Sequence, residues 1–516
     1  ISDGVDAFDV VGDDGVVDPA HPDLVGKLWR NPGEVAGNGR DDDGNGYIDD
    51  VHGWDFGGDA PFDVASPPPY LTNGGDPEPQ PVAVGPQAVV RSYNRGTQMA
   101  GIAAADTNNG EGIAGVSWGA RIMPLKATFP VHRDGAFVNA GFWVKHIIEG
   151  VCYAANEGAQ VIVIGGLPVR DPARDQRSYQ SITRLSEAIG FADDRNATVV
   201  VPAGECGVVE RADQVCPDGA NPDIFPAHIH SPNVIGVTSM HIGRPAGRET
   251  ISRRRTMSTG AWVDIAAPGE GFLAPVNTEN NPDEPYQLVD IAQRVAMPDD
   301  YAAAHVAGVI AVLKTINPGL TPLQVLGYLC RNAERDESMG AFDVGGDGWL
   351  RNDVFGCGVI DFERAVEHVP FRIRLESGAV VHDFVSLDRT EVLRPLVNPY
   401  LNIDRWAIHT DTTWLADAPQ AQRVGAASVR ALKISVDTLD RWAGGLTSDT
   451  IIAPQEIRVC PKNEENPTWN LTFTPEDCGL GARNGCVCMQ LRIRVAGSTR
   501  RAFLPLGLRS AAVGPD

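Results

Sequence analysis

The stretch Met297 to Val309, M-P-D-D-Y-A-A-A-H-V-A-G-V, constrains this chain more than any other. It opens a helix from Asp300 to about Ile316, and the elements before it alternate in type. Helical periodicity from about Asn139 to Asn156 precedes an apolar run from Gln160 to Ile164. A second helix-like stretch, Ser178 to Asp193, leads into A-T-V-V-V-P-A-G-E at Ala197 to Glu205. Thr321-Pro322 supplies the cap and first-turn proline of one more helix. Strands and helices in this alternation predict an α/β domain, a mostly parallel sheet with helices on both faces.

Beyond Pro370 the pattern changes. Phe371 to Leu375, Ala379 to Leu387, Val429 to Val436, Glu456 to Cys460 and Met489 to Val495 are short, partly alternating and separated by turn residues. They predict an all-β, β-sandwich-like domain with no catalytic motif. Since 516 residues exceed one ordinary core, two domains are expected, 1–370 and 371–516.

A net charge of −24 disfavours nucleic acid and anionic membrane surfaces as partners, because both need clustered Lys and Arg. No apolar run approaches the roughly 18 residues of a membrane span. Cys206 and Cys216 close a short loop, Cys330 and Cys357 flank another segment, and Cys460, Cys478, Cys486 and Cys488 crowd the C-terminal part. Four disulfides among these eight, with Cys152 a buried thiol on an apolar helix face, predict a secreted or extracytoplasmic protein, periplasmic or extracellular. The start at Ile1, without Met or signal peptide, reads as a processed or partial product.

Several segments together resemble the subtilisin-like serine proteases, the subtilases. The family's central helix opens G-T-S-M-A-A-P-H-V-A-G, and His305, Val306, Ala307 and Gly308 fix the register. The family's nucleophilic serine then falls at Asp300. N-R-G-T-Q-M-A-G-I-A-A, Asn94 to Ala104, is similar to H-G-T-H-V-A-G-I-I-A, which puts Arg95 at the catalytic histidine and Gln98 at the second histidine. Gly112 to Ala127, Phe225 to Val237 and Ala261 to Gly269 match further family segments. The run ending at Ile164 stands where the family has the strand bordering the substrate cleft, and Glu205 stands at the oxyanion asparagine. V-V-G-D-D-G-V-V at Val10 to Val17, followed by H-P-D-L at His21 to Leu24, resembles the family's aspartate motif with one residue inserted, which puts that aspartate at Asp13. The similarity spans roughly residues 5 to 370 and implies the subtilisin-like fold.

Gly37 to Phe56, G-N-G-R-D-D-D-G-N-G-Y-I-D-D-V-H-G-W-D-F, carries a second signal. Asp41, Asp43, Asn45, the Tyr47 carbonyl and Asp49 occupy the first, third, fifth, seventh and ninth places of an EF-hand-like loop, with Gly46 at the sharp turn. Alternate hard oxygen ligands curled round one cation predict structural calcium. The twelfth place is His52 instead of Glu, so Asp50 or another segment must complete the shell. Gly58 to Pro86, rich in Pro, Gly and Asp, reads as a long surface loop.

Acyl transfer by a serine needs a nucleophile, a base, a carboxylate to orient the base and donors for the oxyanion. Of these the chain keeps the carboxylate. Arg95 stays protonated at all accessible pH and cannot serve as a base. Asp300 attacking an amide would give an anhydride instead of a stable acyl-enzyme, and an ionised Glu205 repels an oxyanion. Ser258 is the one candidate for a displaced nucleophile, and it precedes a strand, not a helix. The substitutions predict an ion-pair chain, Asp13–Arg95–Asp300, with Asp300 favoured at a helix N-terminus. Adding Glu205 leaves three carboxylates against one guanidinium, so Glu205 is protonated, turns to solvent, or a cation binds.

The expected protein is a secreted, calcium-stabilised subtilase homologue without peptidase activity. Its expected role is binding, of a partner tail, an active relative or that relative's substrates, or it is a structural block in an extracellular assembly, its partner a protein or peptide, its own copies or an active relative. The alternatives are a hydrolase with a rebuilt carboxylate and metal site at Asp13, Glu205 and Asp300, or a still-active serine endopeptidase. Asp343, Asp347 and Asp353 offer a weaker second calcium loop, and His228 with His230 read as surface histidines.

Overall fold

The computed structural model describes residues 1–11, 17–18, 20–65, 75–81, 94–134, 136–165, 169–170, 176–204, 224–229, 231–243, 250–252, 257–278, 284–289, 298–344 and 349–367, and beyond these the backbone of the C-terminal strands. The chain divides into two compact units, Ile1–Lys314 with Gly319–Asp361, and Thr315–Pro318 with Phe362–Asp516.

The first unit is built on parallel strands. Thr198–Pro202 pairs in parallel with Val161–Val163 on one side and Val234–Gly243 on the other, and the latter pairs in parallel with Ile265–Pro268. Thr198, Val199, Val200 and Val201 are all fully buried, as expected of a strand covered on both faces. The chain start extends this sheet. The Ile1 amino group donates to Val163 O at 2.6 Å and Gly165 N to Ile1 O at 3.1 Å, while Ser2 N donates to Leu125 O and Ala127 N to Ser2 O. Leu125–Lys126 pairs in parallel with Trp54–Asp55. Residues 1–3 therefore lie between two parallel strands.

The helices are α1 (Arg95–Ala104), α2 (Val144–Asn156), α3 (Gln176–Asp193), α4 (Pro298–Ile316), α5 (Pro322–Asn332) and α6 (Phe362–Glu367). Ile147, Val151 and Tyr153 of α2 join Leu185 and Ile189 of α3 against Ile162, Val199 and Val201 in the main core. Met99 and Ile102 of α1 meet Tyr301 and Ala304 of α4 in a second cluster with Ala274 and Val289. Thr321 caps α5 reciprocally: its side chain accepts from Gln324 N at 3.3 Å while Gln324 Oε1 accepts from Thr321 N at 2.9 Å. A disulfide between Cys330 and Cys357 ties α5 to the segment after it.

Two expectations need correction. The helix predicted from about Asn139 begins at Val144, because Ala136–Phe142 is a strand paired antiparallel with Thr128–Arg133. Its alternating A-F-V-N-A-G-F fits a two-residue period as well as a helical one. The predicted loop from Gly58 contains a short strand, Phe62–Asp63, parallel to Val131 and His132. Cys152 is half-buried against the main core.

In the second unit the backbone forms two sheets. One joins Ile373–Leu375, Glu391–Pro395 and Leu432–Ile434, and the other has six strands centred on Thr450–Lys462 and Val487–Val495. Their strands pair antiparallel throughout the described backbone. The sandwich packing, and the side chains of Cys460, Cys478, Cys486 and Cys488, lie outside the described residues, as do Cys206 and Cys216. Among the described residues no helix is long and apolar enough to cross a membrane.

Candidate functional site

Three chain segments converge where the parallel strands end. Residues 1–3 bring in Asp3, α1 begins at Arg95, and the first turn of α4 carries Asp299 and Asp300. Clefts of α/β sheets form at such carboxyl ends.

Arg95 Nε stands 3.6 Å from Asp300 Oδ2, with the arginine side chain 18% exposed and the aspartate fully buried. A buried carboxylate needs a charged or hydrogen-bonding partner, and the guanidinium supplies the charge. Asp13 lies outside the described residues, and a different carboxylate flanks Arg95. Asp3 is buried and its Oδ1 accepts from Gly96 N at 2.6 Å, so it caps the N-terminus of α1 from another segment. Burial pushes the Asp3 carboxyl above the usual range, against the pull of the Gly96 amide and the Arg95 charge. Gly96 has to be glycine, since a Cβ there would run into the Gly4 carbonyl.

The start of α4 is fixed by the neighbouring acid. Asp299 Oδ1 accepts from Ser239 N at 2.6 Å and Oδ2 from Gly204 N at 3.0 Å, joining the helix to the ends of two parallel strands. One turn along α1, Gln98 Oε1 accepts a 2.6 Å bond from the buried Tyr301 hydroxyl, and burial raises the Tyr301 pKa. His305 is turned back into its own helix, Nδ1 lying 3.0 Å from Tyr301 O, and burial lowers its pKa. Gly165 lies beside this group, where a Cβ would meet Met99 and approach Asp300. Glu205 and Gly166 lie outside the described residues.

Ser258 is fully buried; its amide donates to Gly204 O at 2.8 Å, and its Oγ has no hydrogen-bond partner among the described residues. Among the described residues no base therefore reaches that hydroxyl.

In the acidic loop, Asp41 Oδ1 accepts from Gly44 N and Asn45 N, and Oδ2 from Gly46 N. Asp43 Oδ1 accepts from Asn45 N, and Oδ2 from Asn31 Nδ2 and Asn45 Nδ2. Asp49, at φ 57°, turns its carboxylate to Asn38 N and Gly39 N. Asp50 is buried and accepts from Asn31, Asn45 and the Tyr153 hydroxyl, the last at 2.5 Å; burial raises its pKa. Tyr47 N donates to Asn45 Oδ1. Elsewhere Asp55, Asp59 and Asp76 cluster, but Lys126 Nζ reaches Asp55 and Asp59 at 2.6 Å each and supplies their counter-charge.

Residues 10–356 match the family model described as Subtilase family. Among curated proteins, the chain is 27% identical over 251 residues to a thermophilic serine proteinase of Bacillus sp. (strain AK1), covering 48% of this chain and 49% of that one. It is 28% identical over 264 residues to Mycosin-3 of Mycobacterium tuberculosis, covering 46% and 54%. The chain thus spans about half the length of these curated relatives. Among solved structures it is similar to MycP1 with its N-terminal propeptide removed, at 24% identity and a TM-score of 0.35, covering 52% of this chain and 78% of that one.

Proposed function

We propose that this chain, which belongs to the subtilase family, has exchanged peptidase chemistry for a closed ion-pair centre and acts outside the cytoplasm as a binding or structural protein. The observation that carries this reading is the 3.6 Å approach of Arg95 to the buried Asp300. These residues stand where the family's histidine and serine are expected. A guanidinium removes no proton, and a carboxylate already engaged by it is a poor nucleophile.

Asp3 takes the place in this centre that the motif register gave to Asp13. Its carboxylate is held by the α1 amide of Gly96 and acted on by the Arg95 charge. The metal-assisted hydrolase is disfavoured on the same geometry, since a cation at Asp300 would have to displace Arg95. What survives is shape: the Gly165 segment, the starts of α1 and α4 and the strand ends keep a rigid frame. Such a frame can hold an extended segment through main-chain pairing, which uses no triad. An extracytoplasmic setting is supported by the Cys330–Cys357 disulfide.

The test is a broad fluorogenic peptide library together with a serine-directed phosphonate probe. Neither turnover nor labelling is expected. Turnover with labelling would overturn the reading, and turnover lost both to chelator and to Asp300→Ala would replace it with the metal-dependent hydrolase.

A further inference from the structure

We propose that a second copy of this chain docks on the surface carrying Val25, Val35, Ile48 and Trp118, across a two-fold axis that sets the Arg30 and Arg121 end of one copy against the Asp42 and Asp43 end of the other. These four apolar side chains are 54%, 59%, 49% and 53% exposed. Single apolar groups in water are common on protein surfaces, but several large ones on joined segments mark a contact face.

Hydrogen bonds hold those segments together. Lys27 ends the short 3-10 turn Val25–Lys27, and its Nζ donates to Trp118 O at 2.7 Å. Arg121 donates to Gly26 O, and Ile122 N to Lys27 O at 2.8 Å. Further along, Trp29 N donates to Ile122 O at 2.6 Å, Asn31 N to Val51 O at 2.8 Å and Val35 N to Asp42 Oδ2 at 3.2 Å. Residues 25–35 thus join Trp118 at one end to the loop carrying Asp42 and Ile48 at the other. With 36–49 and 117–122 they make about 30 residues, the number that one side of a standard interface uses.

Charge divides this surface and decides what fits it. Arg30 and Arg121 are exposed at one end, and among the described residues neither is in an ion pair. Lys27 adds its charge near Arg121, partly offset by Asp106. At the other end Asp41, Asp42, Asp43 and Asp49 outnumber Arg40, and among the described residues none of these carboxylates is in an ion pair. Two copies of a chain with net charge −24 repel in most orientations. They attract where a basic end meets an acidic one. A two-fold axis makes that meeting twice, because each contact from one copy is returned by the other, whereas a head-to-tail contact makes it once and leaves both outer ends open. Trp118 and the two arginines are of the types that contribute most at such contacts. The inference names a partner for the structural role proposed above and rests on that role for its purpose alone. The surface shares no residue with the Arg95–Asp300 centre, so peptide turnover and self-association are separate outcomes.

The experiment is sedimentation equilibrium of the full chain between about 1 and 100 μM at low salt, with circular dichroism to confirm folding. The parent should form a reversible dimer that weakens about tenfold when roughly 0.5 M NaCl screens the charges, a readout that needs no variant to fold. Trp118→Ser, Arg121→Glu and Asp42→Lys should each raise the dissociation constant about tenfold, since each change occurs twice across the axis. An equimolar mixture of Arg121→Glu and Asp42→Lys chains should return to within about threefold of the parent, because every reversed charge then faces its opposite. A parent that stays monomeric over this range, a dimer indifferent to both reversals, or a mixture no tighter than its separate components overturns the proposal. Growth past the dimer with rising concentration overturns the two-fold arrangement.

Discussion

Replacing Arg95 by methionine tests whether the arginine is the counter-ion of the buried Asp300. Unit charges 3.6 Å apart attract by roughly 4–5 kcal/mol at an effective dielectric of about 20. The arginine is 18% exposed, so water screens part of this, and about 2–4 kcal/mol of stability should be lost in Arg95→Met, near the lower end for breaking a buried pair. Asp300→Asn alone should cost less, about 1–2 kcal/mol, because Arg95 keeps its interaction with Asp3. The double variant should then be more stable than the two losses added, with a coupling of about 1–3 kcal/mol. Urea unfolding followed by tryptophan fluorescence measures all four chains. The effect also has a pH signature. Burial raises the folded-state pKa of Asp3, so the stability that its protonation contributes is present at low pH and lost as pH rises through the folded value. Removing Arg95 removes one influence that pulls this pKa down, so the penalty of Arg95→Met should be larger at pH 7.5 than at pH 5. Additivity within about 0.5 kcal/mol at both pH values would refute the ion-pair reading.

Reverting the family positions together, Arg95→His, Asp300→Ser and Glu205→Asn, should bring peptide turnover above the parent level; in that background Asp3→Asn should reduce turnover by about 10⁴ and Asp13→Asn should leave it within a few-fold. Lys314 is buried, its Nζ donating to Asn196 O, and burial lowers its pKa to about 8. The folded protein thus gives up this proton before the unfolded chain does, so from pH 8 to 10.5 the parent should gain about 2–3 kcal/mol relative to Lys314→Met in thermal or urea unfolding. Cys330 and Cys357 close a loop with a sequence separation of 27; replacing both with alanine should cost about 3.5 kcal/mol on the chain-entropy account. Equal melting of that variant and the parent would contradict it.

The α/β architecture and the family membership were legible because they rest on long patterns. H-V-A-G at His305 and R-G-T-Q at Arg95 each lie inside a helix whose neighbours repeat family segments, so an error in one would have shown in the other. The Asp3 carboxylate near Arg95 was harder to find for a physical reason. G-D-D-G-V-V with H-P-D-L nearby looks like the motif, but an aspartate serving this site must end a parallel strand beside Val161–Val163. Residues 1–3 meet that condition. Asp3 stands in I-S-D-G-V-D, followed by Gly4 at φ 101° and well ahead of H-P-D-L, so the motif count did not reach it. Glu34, whose carboxylate lies beside those of Asp41 and Asp43, was hidden differently. Counting ligand positions from Asp41 describes one loop, and it cannot reveal a side chain folding in from outside it.

Where charge sits around Arg95 and Asp300 follows from the two helices that start there. A helix N-terminus favours anions and disfavours cations, yet α1 begins with Arg95. The conflict is resolved by surrounding that arginine with carboxylates that the same helix ends attract. Asp3 accepts the Gly96 amide of α1, and Asp300 occupies the first turn of α4. Asp300 depends on the pair more than Arg95 does: Asp300 facing a neutral residue would be a buried anion, whereas Arg95 facing a serine keeps the Asp3 charge. Restoring the histidine by itself should therefore destabilise the chain more than restoring histidine and serine together. Stepwise reversion, scored by unfolding midpoint at constant urea slope, measures this ordering, and a single Arg95→His more stable than the double reversion would contradict it.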